Sequence, residues 1–546
     1  MKRILRKELY LSILLVLLTR TFAWGQESTM PCATRMFALP GAEYMHKLVT
    51  HQGDRVERID FGGLRGLELR ADREHTGNSY KYVYGRVPTR EGEYSYLVSI
   101  RHADGQMDQV PVTLTVSRSL PSPTPMMGWL TWNWFARAIS HDKVVAVVQG
   151  MQDRGLIDAG YSTIVLDDAW AAPGTDKALL AFDPVKFPQG ISGFRDACRA
   201  INPRVKVGIY SDAGSQTCEN YQPGSYGYEA QHMALFDQWE VDMLKYDFCN
   251  SEGPAFASYR AMGDAIDAVN RDRLQRGVEP FAFNICEWGS NQPWTWGAEA
   301  GGNSWRSTAD ARESWIGNHS RPGVLAGVDE VRNLWMWAGV NRFNDLDMMC
   351  IGLHGLGGPS NNTSDHMSNG GVIAGLTDAQ ARSQMSLWCM LASPLALTAD
   401  FRATPCAEAN TTAGKLPDPL ITDADVSTLT NRRLIAINQD PLGQQAEYMA
   451  SLSTGAALYS DAGYDVYVKD LSRGRKAVAV VNRSGNSLIG PTLRMTDLYM
   501  SPHRTYACVD AWTGSRFQVS GTLATGTLAP CETKVYLLGN SRKSLP

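Results

Sequence analysis

From residue 126 to 398, short apolar runs alternate with stretches of helical spacing. The runs at 126–132, 161–166, 205–210, 241–247, 281–287, 304–310, 342–348 and 394–398 read as buried strands. Helical faces fall between them at 140–159, 194–200, 228–239, 255–273, 328–338 and 380–391. In the first helix Ser140 is the expected cap, with Val144, Val145, Val148 and Met151 on one face. Eight strands with crossovers predict a (β/α)₈ TIM barrel; a doubly wound open sheet is the alternative. The chain outside this region alternates with period two. Runs at 80–84, 92–100 and 110–116, with a turn at 103–106, predict an N-terminal immunoglobulin-like β-sandwich. Runs at 465–470, 476–481 and 534–538 predict a C-terminal antiparallel β-sandwich. The domains expected are a sandwich over 26–119, a barrel over 120–441 entered through the Pro-rich linker 120–125, and a second sandwich over 442–546.

Residues 1–25 read as a signal peptide. Lys2, Arg3, Arg6 and Lys7 precede an apolar run from Leu9 to Leu18 that is short for a bilayer span, and Ala23-Trp24-Gly25 suits cleavage before Gln26. The expectation is an exported chain, periplasmic or extracellular, with no membrane span after cleavage. The formal charge of −4 would then become about −8, which does not suit a nucleic-acid surface. The ten cysteines allow disulfides, and a bridge between Cys508 and Cys531 is left open. No C-x-x-C pair, G-x-S-x-G, H-E-x-x-H or Walker motif occurs.

Carboxylates recur where the predicted strands end: Asp167-Asp168, Asp247, Glu287, Asp310 and Asp347. Lys245 and Arg306 accompany them, as do Trp129, Trp132, Trp170, Trp288 and Trp305. Lys245 and Asp247 share one side of a strand, so the cation should favour an ionised Asp247; a structural Lys–Asp pair is the bland reading. Asp310 could equally be a loop acid paired with Arg306 or Arg312, and each tryptophan taken singly suits a core. No histidines converge with the acids as metal ligands. Two carboxylates, an apolar ring face and several charged hydroxyl-binding groups fit glycoside hydrolysis, with no metal or cofactor.

Seven motifs make this chemistry specific. They are Met127-Gly128-Trp129-Leu130-Thr131-Trp132, Leu166-Asp167-Asp168-Ala169-Trp170, Gly208-Ile209-Tyr210-Ser211-Asp212, Leu244-Lys245-Tyr246-Asp247-Phe248-Cys249, Cys286-Glu287-Trp288-Gly289, Trp305-Arg306-Ser307-Thr308-Ala309-Asp310 and Asn344-Asp345-Leu346-Asp347-Met348. In this order they resemble the α-galactosidases of glycoside hydrolase family 27, from about residue 121 to the C-terminus. The resemblance implies a retaining exo-hydrolase of α-galactoside oligo- or polysaccharides. Asp247 matches the nucleophile and Asp310 the acid/base, with carboxyl groups about 5–5.5 Å apart. Asp310 is then expected to be protonated in the free enzyme and Asp247 ionised. Asp167 and Asp168 match the pair that holds the 4- and 6-hydroxyls, and Lys245 the contact to O3 and O4. Glu287 and Arg306 match the 2-position contacts, Trp132 the wall under the ring, and Tyr210 and Asp347 the rest of the pocket. Cys218 and Cys249 match a disulfide at the pocket wall, whereas Cys286 lacks its usual partner near Gly302 and is expected to be free. Asp168 favours galactose over β-L-arabinopyranose, and Glu287 disfavours an α-N-acetylgalactosaminide. A non-catalytic galactose-binding barrel is the remaining alternative.

Overall fold

Strands of three to seven residues, almost wholly buried, lie at the centre of the molecule. The computed structural model describes residues 31–75, 78–355, 375–403, 421–455, 457–540 and 545, so the expected signal peptide lies outside the described residues. The strands are Met127–Leu130, Thr163–Leu166, Lys206–Asp212, Met243–Asp247, Ala282–Ile285, Ser304–Arg306, Phe343–Asp345 and Leu395–Leu397. The first seven pair in parallel, each with the next, and the eighth pairs with the first through Leu395 and Met127. One parallel bridge, Met349 to Leu397, joins the seventh strand's extension to the eighth and completes the ring. This is the TIM barrel read from the sequence, and it sends all strand ends to one face. Gly128 is required here: a Cβ at this position would stand 2.1 Å from the Thr163 carbonyl oxygen of the neighbouring strand.

Two helices differ from expectation. The first is broken into His141–Asp153 and Leu156–Ala159. Gly155 sits between them at φ 72°, a left-handed conformation that ends a helix. The segment before the seventh strand forms a helix over Val324–Val331 and then a 3₁₀ turn over Trp335–Trp337, in place of one helix over 328–338.

The N-terminal β region has two sheets. One runs in the order Arg35–Ala38, Met107–Val116, Gly92–Arg101, Arg55–Asp60; the other Glu43–Leu48, Asn78–Arg86, Leu67–His75. Val83, Tyr96, Val98, Ile100, Val112 and Leu114 form a core between them. The C-terminal region is an eight-stranded antiparallel assembly with its own core, including Val466, Val478, Leu523 and Leu538. Cys508 and Cys531 are both buried free thiols, so the bridge left open between them is not made.

Charged groups join these two β regions. Lys47 Nζ lies 2.7 Å from Glu447, with each side chain only 1% exposed. Tyr80 Oη donates to the same carboxylate at 2.6 Å. Arg73 forms a two-pronged pair with Asp470 at 2.6 and 3.2 Å, and Lys476 reaches Asp470 at 2.6 Å. Barrel residue Trp335 closes the cluster beneath Lys47 and Tyr80.

Candidate active site

The barrel geometry gathers the strand-end acids. Register pairs Tyr210 with Lys245 and Asp212 with Asp247 on adjacent strands. A cavity of about 260 Å³ opens above them. Its lining includes Trp132, Asp167, Asp168, Tyr210, Cys218, Lys245, Asp247, Cys249, Arg306, Asp310 and Asp347, eleven of the twelve residues expected there. This is below the roughly 300–1,000 Å³ of typical drug-sized sites, and suits one sugar ring.

Asp247 forms the floor. Its carboxylate accepts from Tyr210 Oη at 3.0 Å and from the Phe248 amide at 3.1 Å. Lys245 does not pair with it. The Nζ donates instead to Asp167 at 2.7 Å, across the barrel interior, which corrects the expected pairing. Burial pushes the Asp247 carboxyl up to about 8; Lys245 opposes this, while Asp212, Asp310 and Asp167 add to it.

Asp310 stands at the mouth, its side chain 56% exposed. Arg306 holds both it and Asp347, at 3.1 and 3.0 Å. Desolvation raises the Asp310 carboxyl, but Arg306, Arg312 and Lys245 outweigh it and leave the group below its ordinary range. The proton preference of the unliganded pair is therefore the reverse of the expectation. Asp347, at φ 72°, accepts the Ala311 amide at 2.8 Å, and so ties the segment after Asp310 to the seventh strand's end.

Asp168 is gripped by the amides of Ala169 and Glu219, at 2.6 and 3.1 Å, and burial raises its carboxyl to about 6. Glu287 is the expected residue that does not line the cavity. It is fully buried, and its carboxylate accepts from the Asn291 amide and side chain at 2.9 and 2.6 Å. Burial pushes it up to about 7. Trp288 lines the cavity in its place, at φ 58°. Asn133, Glu219, Cys286, Arg312 and Met348 also line it and were not predicted as contacts. Four of these adjoin predicted residues, Trp132, Cys218, Glu287 and Asp347, and sequence proximity was their signal. Trp129, Trp170 and Trp305 are fully buried core, their indole N–H groups bonded to Ala399, Tyr210 and Asn344.

Cys218 and Cys249 form a disulfide with Cα atoms 4.9 Å apart. Cys286 is free, as expected. Asp212, behind the bridge, accepts the amides of Cys249 and Gly214 at 2.9 and 2.7 Å.

The family model for α-galactosidase A matches residues 124–374, and that for the α-galactosidase C-terminal β-sandwich domain matches 461–538. An α-galactosidase A from Cellvibrio japonicus is 33% identical over 372 residues, covering 67% of this chain and 77% of that protein. The chain belongs to the α-galactosidases of glycoside hydrolase family 27. An α-galactosidase from Oryza sativa is 31% identical over 417 residues, covering 76% of this chain and 84% of the relative. A solved structure of a candidate α-galactosidase from Bacteroides fragilis superposes with a TM-score of 0.62 at 29% identity, covering 94% of this chain and 98% of that one. This family member is thus a glycoside hydrolase with galactosidase activity. No helix among the described residues is long and apolar enough to cross a membrane.

The disulfide gives a first prediction for this galactosidase. It closes a loop with a sequence separation of 31. Cys218→Ser with Cys249→Ser should cost about 3–4 kcal/mol in unfolding free energy by denaturant titration. A loss well under about 1 kcal/mol would show that the wall is held by Asp212 and its neighbours instead.

Proposed function

We propose that this protein is an exported, retaining exo-α-galactosidase that removes terminal α-D-galactosyl residues by double displacement. The observation carrying the reading is the placement of two carboxylates in one sugar-sized cavity. Asp247 is buried on the floor and oriented by Tyr210, whereas Asp310 is exposed at the mouth, where a leaving group departs. In this mechanism Asp247 attacks C1 as Asp310 delivers its proton to the departing oxygen. Asp310 then deprotonates the water that cleaves the galactosyl-enzyme. Asp167, Asp168 and Lys245 form a hydrogen-bonding edge for the 3-, 4- and 6-hydroxyls. Trp132 supplies the apolar wall. The basic and apolar residues before Gln26, together with the disulfide, support export.

The unliganded charges set a pH expectation. Asp247 must lose a proton to attack and Asp310 must carry one to donate. With Asp247 raised to about 8 and Asp310 lowered, the free pair holds its proton on Asp247 near neutrality. kcat/KM, which reports the free enzyme, should therefore be bell-shaped and should fall as pH rises through about 8, when that proton is lost. A flat profile between pH 7 and 9 would contradict this charge assignment.

The test of the reaction compares aryl α-D-galactopyranoside with aryl β-L-arabinopyranoside and follows the first-formed anomer by proton NMR. Galactose preferred, and released as α, supports the proposal. Arabinose preferred keeps the mechanism and overturns the part given to Asp168. A β-galactose first product means inversion, and turnover of neither points to a binding protein. Trp288 and Cys286 beside Arg306, with Glu287 turned away, bound the 2-position side in this reading. Trp288→Ala should raise the ratio of α-N-acetylgalactosaminide to α-galactoside hydrolysis by about tenfold or more, measured as kcat/KM. Glu287→Ala giving the larger change would place the 2-position limit back on Glu287.

A further inference from the structure

A buried polar side chain is normally hydrogen-bonded, because a buried amide without a partner is destabilising. Asn133 departs from this rule. It is only 7% exposed, it lines the sugar cavity, and its side-chain amide bonds to no described residue. The hydrogen-bonding capacity of that amide is therefore left for an occupant of the cavity.

The fold places Asn133 beside Asp168. On adjacent strands Leu130 lies opposite Val165, and just beyond them the Asp167 amide donates to Thr131 Oγ1 at 2.9 Å. Asn133 lies three residues past Leu130, and Asp168 three past Val165. The chain turns into a short helix over Trp132–Phe135, and Arg137 just beyond it pairs with the Glu219 carboxylate at 2.9 Å. Glu219 in turn gives its backbone amide to Asp168 at 3.1 Å. Asn133, Asp168 and Glu219 thus share one corner of the cavity wall.

Chemistry decides what this corner takes. In the reading above, Asp168 accepts the proton of the sugar's 6-hydroxyl. A carboxylate can only accept, and each Asp168 oxygen already takes one backbone amide. A hydroxyl that donates there has lone pairs left over, and these need a donor. Glu219 does not supply one, because its amide is bonded to Asp168 and its carboxylate to Arg137. The side-chain NH₂ of Asn133 carries two. We propose that Asn133 donates to O6 of the galactosyl ring, so that it and Asp168 together make the 6-hydroxyl a condition of rapid hydrolysis. This rests on the part given to Asp168 above. A ring without O6 leaves both groups facing the cavity without their partner, which is how a polar site rejects a deoxy analogue.

The experiment measures kcat/KM for aryl α-D-galactopyranoside and for aryl α-D-fucopyranoside, the same sugar with hydrogen in place of the 6-hydroxyl. It uses wild-type protein, Asn133→Ala and Asn133→Leu. The wild type should prefer the galactoside strongly. The galactoside-to-fucoside ratio should fall about tenfold or more in both variants, since leucine keeps the bulk of Asn133 and none of its donors. The loss should fall on the galactoside, with the fucoside little changed. A residue that only packs would lower both substrates together in Asn133→Ala and recover both in Asn133→Leu. A ratio that holds in either variant overturns the role of Asn133 alone, and the wild-type preference then stays with Asp168. A wild type that hydrolyses both sugars equally well overturns the reading of Asp168 and the role of Asn133 with it.

Discussion

Asp247→Ala should lower kcat by at least about 10⁴-fold on every α-galactoside, because in the proposed mechanism its carboxylate forms the bond to C1. Asp310→Ala should behave differently. Its loss should be on the order of 10²–10⁴-fold on a disaccharide and much smaller on an aryl galactoside whose leaving group needs no proton. Azide separates the two variants by product. A small anion entering in place of the Asp247 side chain displaces the leaving group directly and gives β-galactosyl azide. In Asp310→Ala the galactosyl-enzyme still forms, and azide attacks it from the opposite face to give α-galactosyl azide. The same azide anomer from both variants would remove the assignment of roles. Tyr210→Phe tests the orientation of the nucleophile. It removes the 3.0 Å bond to Asp247, so kcat should fall while the fold persists. Thermal unfolding of each variant provides the control.

The second large effect concerns stability. Glu447→Ala should destabilise the protein by about 3–5 kcal/mol, because it takes the nearer carboxylate from buried Lys47 at the junction of the two β regions and leaves only Asp470, at 3.4 Å. Deleting residues 31–119 removes Lys47, Arg73 and Tyr80 together and strands Glu447 and Asp470 on an uncovered face. The shortened chain should aggregate or melt well below the full chain in a thermal scan. A truncated protein with an unchanged midpoint would show the N-terminal sandwich to be a passive appendage. The cluster also sets an acid limit. Burial raises the Asp470 carboxyl, but Lys476, Arg73 and Lys47 more than reverse this and hold it well below its ordinary value. A depressed folded-state pKa contributes stability above the unfolded value of about 4, lost as pH falls towards the folded one. Denaturant midpoints should therefore drop below about pH 4 in the wild type, and less steeply in Asp470→Asn.

All eight barrel strands were legible because each is an apolar run ending in polar residues. The flanking sandwiches were legible from period-two alternation, as at Gly92–Arg101 and Met107–Val116. The helix break at Gly155 was hidden because the apolar spacing continues into Leu156 and Ile157, and only the backbone angle at the glycine interrupts it. In the site, alternation failed beyond the strand ends. Glu287 lies two residues past Ile285, and the left-handed turn at Trp288 exchanges which side chain faces the cavity. Lys245 and Asp247 share a face as their spacing requires. The lysine's partner nevertheless comes from a strand two places away, Asp167, because barrel curvature brings that carboxylate closer. Trp129, Trp170 and Trp305 belong to the core because their indoles find backbone or amide oxygens inside the packing. Composition alone cannot separate them from Trp132, which lines the cavity. The charge cluster between the two β regions joins residues about 400 positions apart, such as Lys47 and Glu447, and has no local signature.

The closure of the ring at Met349 and Leu397 has a further consequence. Every other strand pair carries at least two residues in register, whereas this seam has a single bridge, made by the Met349 amide donating to Ala396 at 2.7 Å. It is the place where a local opening breaks the fewest ladder bonds, so the Met349 amide should trade its proton for deuterium sooner than those of the inner strands. Met348 and Asp347 line the cavity on one side of the seam and Trp132 on the other. A sugar held between them spans the joint as a stitch. Its occupancy would be visible as slower deuterium uptake along that one line of the barrel.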